Sequence, residues 1–290
     1  MTKRNPEYDF KWCPGCGDFA VVRAVEMALV DRVNAMKEPI ENTVIVAGIG
    51  CSGNLVHLQE GPQPFGIHGI HGRTLPIALG VKASRPELNV LVAAGDGDFL
   101  SIGAEHIGPA AKRNIDVTCV VMDNGVYGLT KGQASPTTEF GVVTPTTPYG
   151  KLEDPVNPLL LYLTYGVSFV ASAISTKPKV LASYINEAMA YPGFSIVHVQ
   201  SPCTTYNDTY EALKGNPAKG IDPTAWDIPD DHDPANHGKA LDLVRRKGVP
   251  VGIIYRAAES TPMHERLRLA RERVKVKQRS VDDLFAALKI

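Results

Sequence analysis

The stretch from Gly95 to Gln133, GDGDFLSIGAEHIGPAAKRNIDVTCVVMDNGVYGLTKGQ, leaves the chain few ways to fold. The apolar, β-branched run LNVLVAA before it and the run DVTCVVMD inside it have strand length, and the residues between them form a crossover helix. Parallel strands joined in this way deliver their carboxyl ends to one edge of a sheet, the edge where open α/β sheets bind ligands. Asp96 and Asn124 then stand side by side. A carboxylate and an amide oxygen are hard ligands, and Mg²⁺ takes one or two such groups while keeping its other positions for water and phosphate oxygens. Gly95 and Gly97 let the backbone turn tightly and approach a ligand. The helix expected to begin near Phe99 turns its free N–H groups toward the anion, and Val126 offers its main-chain carbonyl as a third protein ligand.

Asp-Gly-Asp after a strand, followed one crossover later by Asn-Gly-Val-Tyr-Gly, resembles the thiamine-diphosphate and Mg²⁺ motif of thiamine-dependent enzymes. The resemblance implies that Asp96, Asn124 and the Val126 carbonyl hold Mg²⁺ and that Tyr127 and Gly128 line the cofactor. The expected fold is α/β, a mostly parallel sheet with helices on both faces, in the thiamine-diphosphate-binding class.

Charge narrows the partners. With 30 Lys+Arg against 31 Asp+Glu the formal net charge is -1, so there is no global basic field for nucleic acid or membrane lipid. No apolar run approaches the roughly 18 residues of a membrane helix, and MTKRNPEYDFKW lacks the apolar core of a signal peptide. A cytoplasmic location is expected. Five cysteines, an odd number, favour metal ligation or catalysis over a disulfide framework.

Trp12-Cys13-Pro14-Gly15-Cys16-Gly17 places two thiols around a Pro-Gly turn, a spacing that lets both sulfurs face one metal centre. A redox CxxC pair sits between a first strand and a helix, and no strand is legible before Cys13. A helical pattern over residues 18–37 and the strand TVIVAGIG follow, ending in Gly48-Ile49-Gly50-Cys51-Ser52-Gly53. This formally satisfies GxGxxG, but a dinucleotide site needs a long helix after the turn and an acidic residue about 20 positions on. Pro62 and Pro64 deny the first, and HGIHGR stands where the second belongs. Cys51 is the useful residue of this turn. His68, His71 and Arg73 lie in a glycine-rich loop just before the helix LPIALGVKASRP, placed to reach a diphosphate or a reacting carbon.

Beyond a long Thr-, Pro- and Gly-rich loop, LLLYLTYG, VSFVASA, KVLASYINEAMAY and SIVHVQ read as helix, strand, helix, strand, and the last strand runs into Ser201-Pro202-Cys203. Cys119 lies inside the apolar strand VTCVVM, where a packing role is expected. That leaves Cys13, Cys16, Cys51 and Cys203, and four thiolates hold either Zn²⁺ or an iron–sulfur cluster. Spacing alone does not separate the two, although one knuckle with two scattered cysteines leans toward a cluster.

In that order WCPGCG, CSG, HGxHGR, GDGD, NxxYGLTKGQ and SPC resemble the β subunit of 2-oxoacid:ferredoxin oxidoreductases over about residues 8 to 210. The resemblance implies that the four cysteines ligate one 4Fe–4S cluster close to the thiamine ring. Around the cofactor it places Cys51, Ser52, Gly53, His71, Gly95, Asp96, Gly97, Asp98, Asn124, Tyr127, Gly128, Leu129 and Thr130. His68, His71 and Arg73 are expected near the reacting carbon. Asn54 stands there too, where some members carry a basic residue three positions after this cysteine. The implied reaction is oxidative decarboxylation of a 2-oxoacid to its acyl-coenzyme A and CO₂, or the reverse, with electrons exchanged with ferredoxin. An α subunit is expected to bring the glutamate that activates the cofactor and most of the coenzyme A site, in a heterodimer or a dimer of heterodimers. Overall resemblance favours 2-oxoglutarate over pyruvate. Two alternatives from other classes stand beside it: a cluster-free thiamine decarboxylase or synthase with a zinc knuckle, and an electron-transfer or scaffold subunit whose thiamine fold has lost its cofactor, against which Asp96 and Asn124 speak. Residues 1–210 are expected to form the cofactor domain and 211–290 a C-terminal extension of loop and helices that contacts another chain.

Overall fold

A computed structural model describes residues 12–274 and 279–288. The N-terminal segment read for a leader, and the start of the stretch that carries the family resemblance, fall on residues 1–11 and lie outside the described residues. The strands are β1 (Thr43–Ala47), β2 (Phe65–His68), β3 (Asn89–Gly95), β4 (Thr118–Asp123), β5 (Val126–Tyr127), β6 (Gln133–Ala134), β7 (Phe169–Ile174), β8 (Ser195–Gln200), β9 (Ala225–Asp227) and β10 (Val249–Arg256). The helices are α1 (Asp18–Asn34), α2 (Leu55–Leu58), α3 (Thr74–Ser84), α4 (Ile107–Arg113), α5 (Pro158–Tyr165), α6 (Pro178–Ala190), α7 (Tyr210–Lys214), α8 (His237–Val244), α9 (Met263–Arg273) and α10 (Val281–Leu288).

Eight strands form one sheet in the order β2-β1-β3-β4-β8-β7-β10-β9, and every pairing is parallel except β10 against β7. A parallel sheet must be covered on both faces, which is why its strands read as unbroken apolar runs. Successive side chains point to opposite faces: Val44, Val46, Val90 and Val92 pack in one core with α3, α4, α5 and α8, whereas Ile45, Leu91, Ala93 and Val120 pack in the other with α1 and α6. Cys119 is fully buried in the first of these cores, as a packing residue.

Three elements differ from the sequence reading. The segment 65–67, given no element in the sequence reading, and His68, read in a loop, pair with β1 as the edge strand β2. The crossover after Asp96 is no single helix. One π-helical turn covers Asp98–Ile102, with Gly103 N–H donating to Asp98 O at 3.1 Å, and α4 begins only at Ile107. Such turns occur often at functional sites. Residues 225–256, expected among the loops and helices of a C-terminal extension, contribute β9, α8 and β10; Ile254 and Leu243 join the main core. Among the described residues no helix is long and apolar enough to cross a membrane.

Candidate active site

Gly95 on β3 faces Met122 on β4 in register, so Asp96 and Asn124 leave adjacent strands at the same edge. The Asn124 N–H donates to the Asp96 carboxyl, which is 1% exposed. Burial, then the neighbouring Asp123 carboxylate, push the Asp96 acid up to about 7 against the hydrogen bonds that it receives. Asn124 Oδ1 accepts from the Val126 N–H at 3.0 Å across Gly125, whose φ of +68° suits a glycine. Tyr127 lies on Gly97: its hydroxyl donates to Gly97 O at 3.1 Å, and a Cβ on Gly97 would stand 2.4 Å from the ring.

These residues line one pocket at the sheet edge. Gly95, Asp96, Gly97 and Asp98 come from β3 and its turn; Asn124, Val126, Tyr127, Gly128, Leu129 and Thr130 come from the end of β4 and beyond; Cys51, Ser52 and His71 form the facing wall. Of the residues expected around the cofactor, only Gly53 is absent from this lining. It packs below, where a Cβ would meet Gly48 O at 2.1 Å. Asp98 turns its Oδ1 to the Gly72 N–H at 2.8 Å, the Ile49 N–H at 3.2 Å and His71 Nδ1 at 3.1 Å, tying the β1 turn to the histidine loop. Burial raises the Asp98 acid, and the Gly72 and Ile49 N–H groups, with the charge of His71, oppose the rise. Ser52 Oγ is buried beside Gly95 and has no hydrogen-bond partner among the described residues. An orphaned hydroxyl, a glycine-lined wall and a buried carboxyl beside an amide fit a metal-bridged diphosphate.

The residues expected near the reacting carbon are dispersed. Only His71 lines the pocket. His68 ends β2 with Nδ1 2.9 Å from His57 Nε2. Arg73 donates to Gly72 O and Ile102 O, at 3.1 and 3.0 Å, and pairs with Glu105. Asn54 is buried at the end of a helical turn after Cys51.

The cysteine turns are laced together. Trp12 Nε1 donates to Cys51 O at 2.8 Å, the Gly17 N–H to Pro202 O at 3.0 Å, Thr204 Oγ1 to Pro14 O at 2.9 Å, and the Tyr210 hydroxyl to Gly15 O at 3.0 Å. The site that a Cβ of Gly128 would occupy lies 3.4 Å from Cys51 Sγ and 3.8 Å from Cys203 Sγ. Burial, then the Asp18 carboxylate, then Cys203 and Cys13 push the Cys51 thiol up to about 12, and burial, Asp18, Cys51 and Cys203 raise Cys16 further. Cys51 is thus within electrostatic reach of Cys13, Cys16 and Cys203, and Cys16 of Cys203. A sulfur-ligated cationic centre fits this donor set. Among the described residues no group of three or more His, Cys, Asp and Glu side chains is arranged to hold a single metal ion.

Sequence reading missed Asp18, whose buried carboxyl accepts from Ser201 Oγ at 2.6 Å and is raised to about 6 by burial. It also missed Asp123, Thr137 and His198, which stand behind Asp96. The only signals were adjacency, Asp18 two residues after Cys16 and Asp123 directly before Asn124.

Residues 48–199 match the family described as thiamine pyrophosphate enzyme, C-terminal TPP binding domain, and residues 203–272 match the family described as the C terminal of the pyruvate ferredoxin oxidoreductase beta subunit. A 2-oxoacid:ferredoxin oxidoreductase subunit beta from Sulfolobus sp is 42% identical over 208 residues, 72% of this chain and 66% of its own length, so the chain spans just under two thirds of that relative. The subunit beta of 2-oxoacid:ferredoxin oxidoreductase 1 from Aeropyrum pernix is 39% identical over 252 residues, 84% of this chain and 77% of its own. A solved structure, described as 2-oxoglutarate:ferredoxin oxidoreductase from Magnetococcus marinus with 2-oxoglutarate, coenzyme A and succinyl-CoA bound, is similar with a TM-score of 0.85 at 36% identity, over 99% of this chain and 94% of that one. With sheet, pocket and thiol turns in accord, this chain belongs to the β-subunit family of the 2-oxoacid:ferredoxin oxidoreductases, on a thiamine-pyrophosphate-binding fold.

Proposed function

We propose that the chain is the β subunit of a coenzyme A-dependent oxidoreductase that converts 2-oxoglutarate to succinyl-CoA and CO₂, or runs the reverse reductive carboxylation. A 4Fe–4S cluster held by this chain would supply a one-electron route to ferredoxin. The observation that carries the reading is the sheet order: Cys51, Asp96, Asn124 and Cys203 follow the consecutive strands β1, β3, β4 and β8, with both sulfurs over Gly128. Asp96, Asn124 and the Val126 carbonyl would hold Mg²⁺, and Gly95 and Gly97 let the diphosphate approach. When bound, thiamine diphosphate supplies a ring that accepts the electron pair of the broken carbon–carbon bond. His71 presents an imidazole at the pocket rim, and Cys13, Cys16, Cys51 and Cys203 would carry the cluster.

The ligands named for the Magnetococcus marinus structure support the substrate. The pyruvate description of the C-terminal family supports a second reading in which pyruvate is oxidised. The site is completed by an α subunit, which brings the activating glutamate and the coenzyme A pocket, in a cytoplasmic heterodimer or dimer of heterodimers. The experiment is anaerobic co-purification with the α subunit, then iron, sulfide, zinc and thiamine analysis and viologen reduction with several 2-oxoacids. The reading expects iron and sulfide in equal amounts and fastest turnover on 2-oxoglutarate. A colourless complex with zinc and no iron would sink it, and preference for pyruvate would install the second reading.

A further inference from the structure

We propose that Thr137, backed by Asp123 and His198, is a positioning residue for Asp96 and for the magnesium turn, which makes the loop after β6 part of the diphosphate site. The proposal rests on the reading of Asp96 as a magnesium ligand. Thr137 Oγ1 lies 2.8 Å from Asp96 Oδ2 and 2.7 Å from Asp123 Oδ1. A hydroxyl has one hydrogen to donate and lone pairs to accept with, so it sets the separation of two buried acids that repel when both are charged. The contact arrives from a loop, not from the strands that carry the acids.

Asp123 is itself fixed. Its Oδ2 accepts from His198 Nε2 at 3.0 Å and Gln200 Nε2 at 3.4 Å, and its Oδ1 accepts from the Gly125 N–H at 3.0 Å. His198 is 1% exposed, with Nδ1 3.2 Å from the Tyr162 hydroxyl. Burial works against ionisation of Asp123, yet the hydrogen bond and charge of His198, with Thr137 and Gly125, hold its acid below the ordinary range. The other side of Gly125 is pinned too, because Thr138 Oγ1 donates to Gly125 O at 2.6 Å. Gly125 joins Asn124 to Val126, the two ligand-bearing residues of the turn, so Asp123 and Thr138 together fix the direction of both ligand groups.

The loop that supplies Thr137 and Thr138 is anchored from inside. Lys151, 5% exposed, donates from Nζ to Thr138 O at 2.7 Å and Pro136 O at 3.2 Å, and Thr138 Oγ1 accepts from the Ser135 N–H at 2.7 Å. Groups that orient metal ligands from behind typically alter metal affinity by about 10–100-fold when removed.

The test uses the αβ complex, purified anaerobically and stripped of thiamine diphosphate and Mg²⁺, with cofactor binding followed by calorimetry at a series of Mg²⁺ concentrations. Thr137→Val, which keeps the shape and loses the hydroxyl, is expected to raise the Mg²⁺ requirement about 10–100-fold while iron content and cofactor affinity at saturating Mg²⁺ stay parental. Thr137→Ser is expected to restore the parental requirement. An unchanged requirement in Thr137→Val, or equal damage in Thr137→Ser, overturns the proposal. If Thr137→Val fails to assemble, His198→Leu against His198→Gln decides: only the leucine variant should raise the requirement, and a parental value for it overturns the proposal. Magnesium-dependent binding that survives Asp96→Ala would instead sink the reading of Asp96 itself.

Discussion

Asp96 holds a carboxyl group where its charge lacks water, and its acid is raised from 3.8 to about 7 by burial and by Asp123. Between those values the folded chain keeps a proton that the unfolded chain has lost. The contribution of this group to stability is therefore full below pH 3.8 and is lost as pH rises through about 7. If Asp96 holds magnesium as proposed, the metal needs the carboxylate, and its binding would expel the proton in the same window. Magnesium affinity in the presence of thiamine diphosphate should climb by up to about tenfold per pH unit below about 7 and level off above it. Calorimetry in buffers of different ionisation enthalpy reads the released proton directly, and a flat profile would contradict this picture. Asp96→Asn should bind weakly at every pH. Asp96 and Asn124 were legible because a strand end and a short polar turn fix where such residues go. Arg73 was not: the same side chain reaches a phosphate or a carbonyl, and the carbonyl of Ile102, 29 residues away, decides. Thr137 was unreadable for a like reason, since its role exists only where two distant acids meet.

At the scale of elements, β10 separates what sequence pattern reveals from what packing decides. VPVGIIYR contains a proline and a glycine, and both argue against a sheet interior. The sheet accommodates them by position. Pairing with β7 covers only Gly252 to Arg256, so Pro250 lies where β9 alone runs alongside, and Gly252 gives room to Ile228, whose Cδ1 would be 2.4 Å from a Cβ there. Strands β1, β3, β4, β7 and β8 lack such conflicts and were legible as apolar runs. The place of β10 in the main core predicts that Ile254→Ala, at a fully buried position, costs about 2–5 kcal/mol of stability. Leu284→Ala on α10, where the side chain is exposed, should change it by less than about 0.5 kcal/mol. Thermal or urea unfolding of the two variants checks both, and equal effects would deny β10 its place in the core.

On the scale of the whole molecule, neither α9 nor α10 contributes a buried residue, although Met263 N–H donates to Asn114 O at the root of α9. Val281, Leu284, Phe285 and Leu288 of α10 recur at helical spacing and are all exposed. If this tail contacts a partner subunit, a chain ending at residue 262 should keep its iron and its magnesium-dependent cofactor binding while the complex loses mass on size-exclusion chromatography. Parental mass would assign the tail no part in assembly.

The thiols of Cys51 and Cys203 follow the outer two of four neighbouring strands and approach each other at Gly128, and the inner two strands bear Asp96 and Asn124. The metal–sulfur assembly proposed there would form the ceiling of the chamber beneath it. Dioxygen that dismantled this ceiling would also open the chamber to solvent, so inactivation by air and escape of the vitamin-derived cofactor would be one event rather than two.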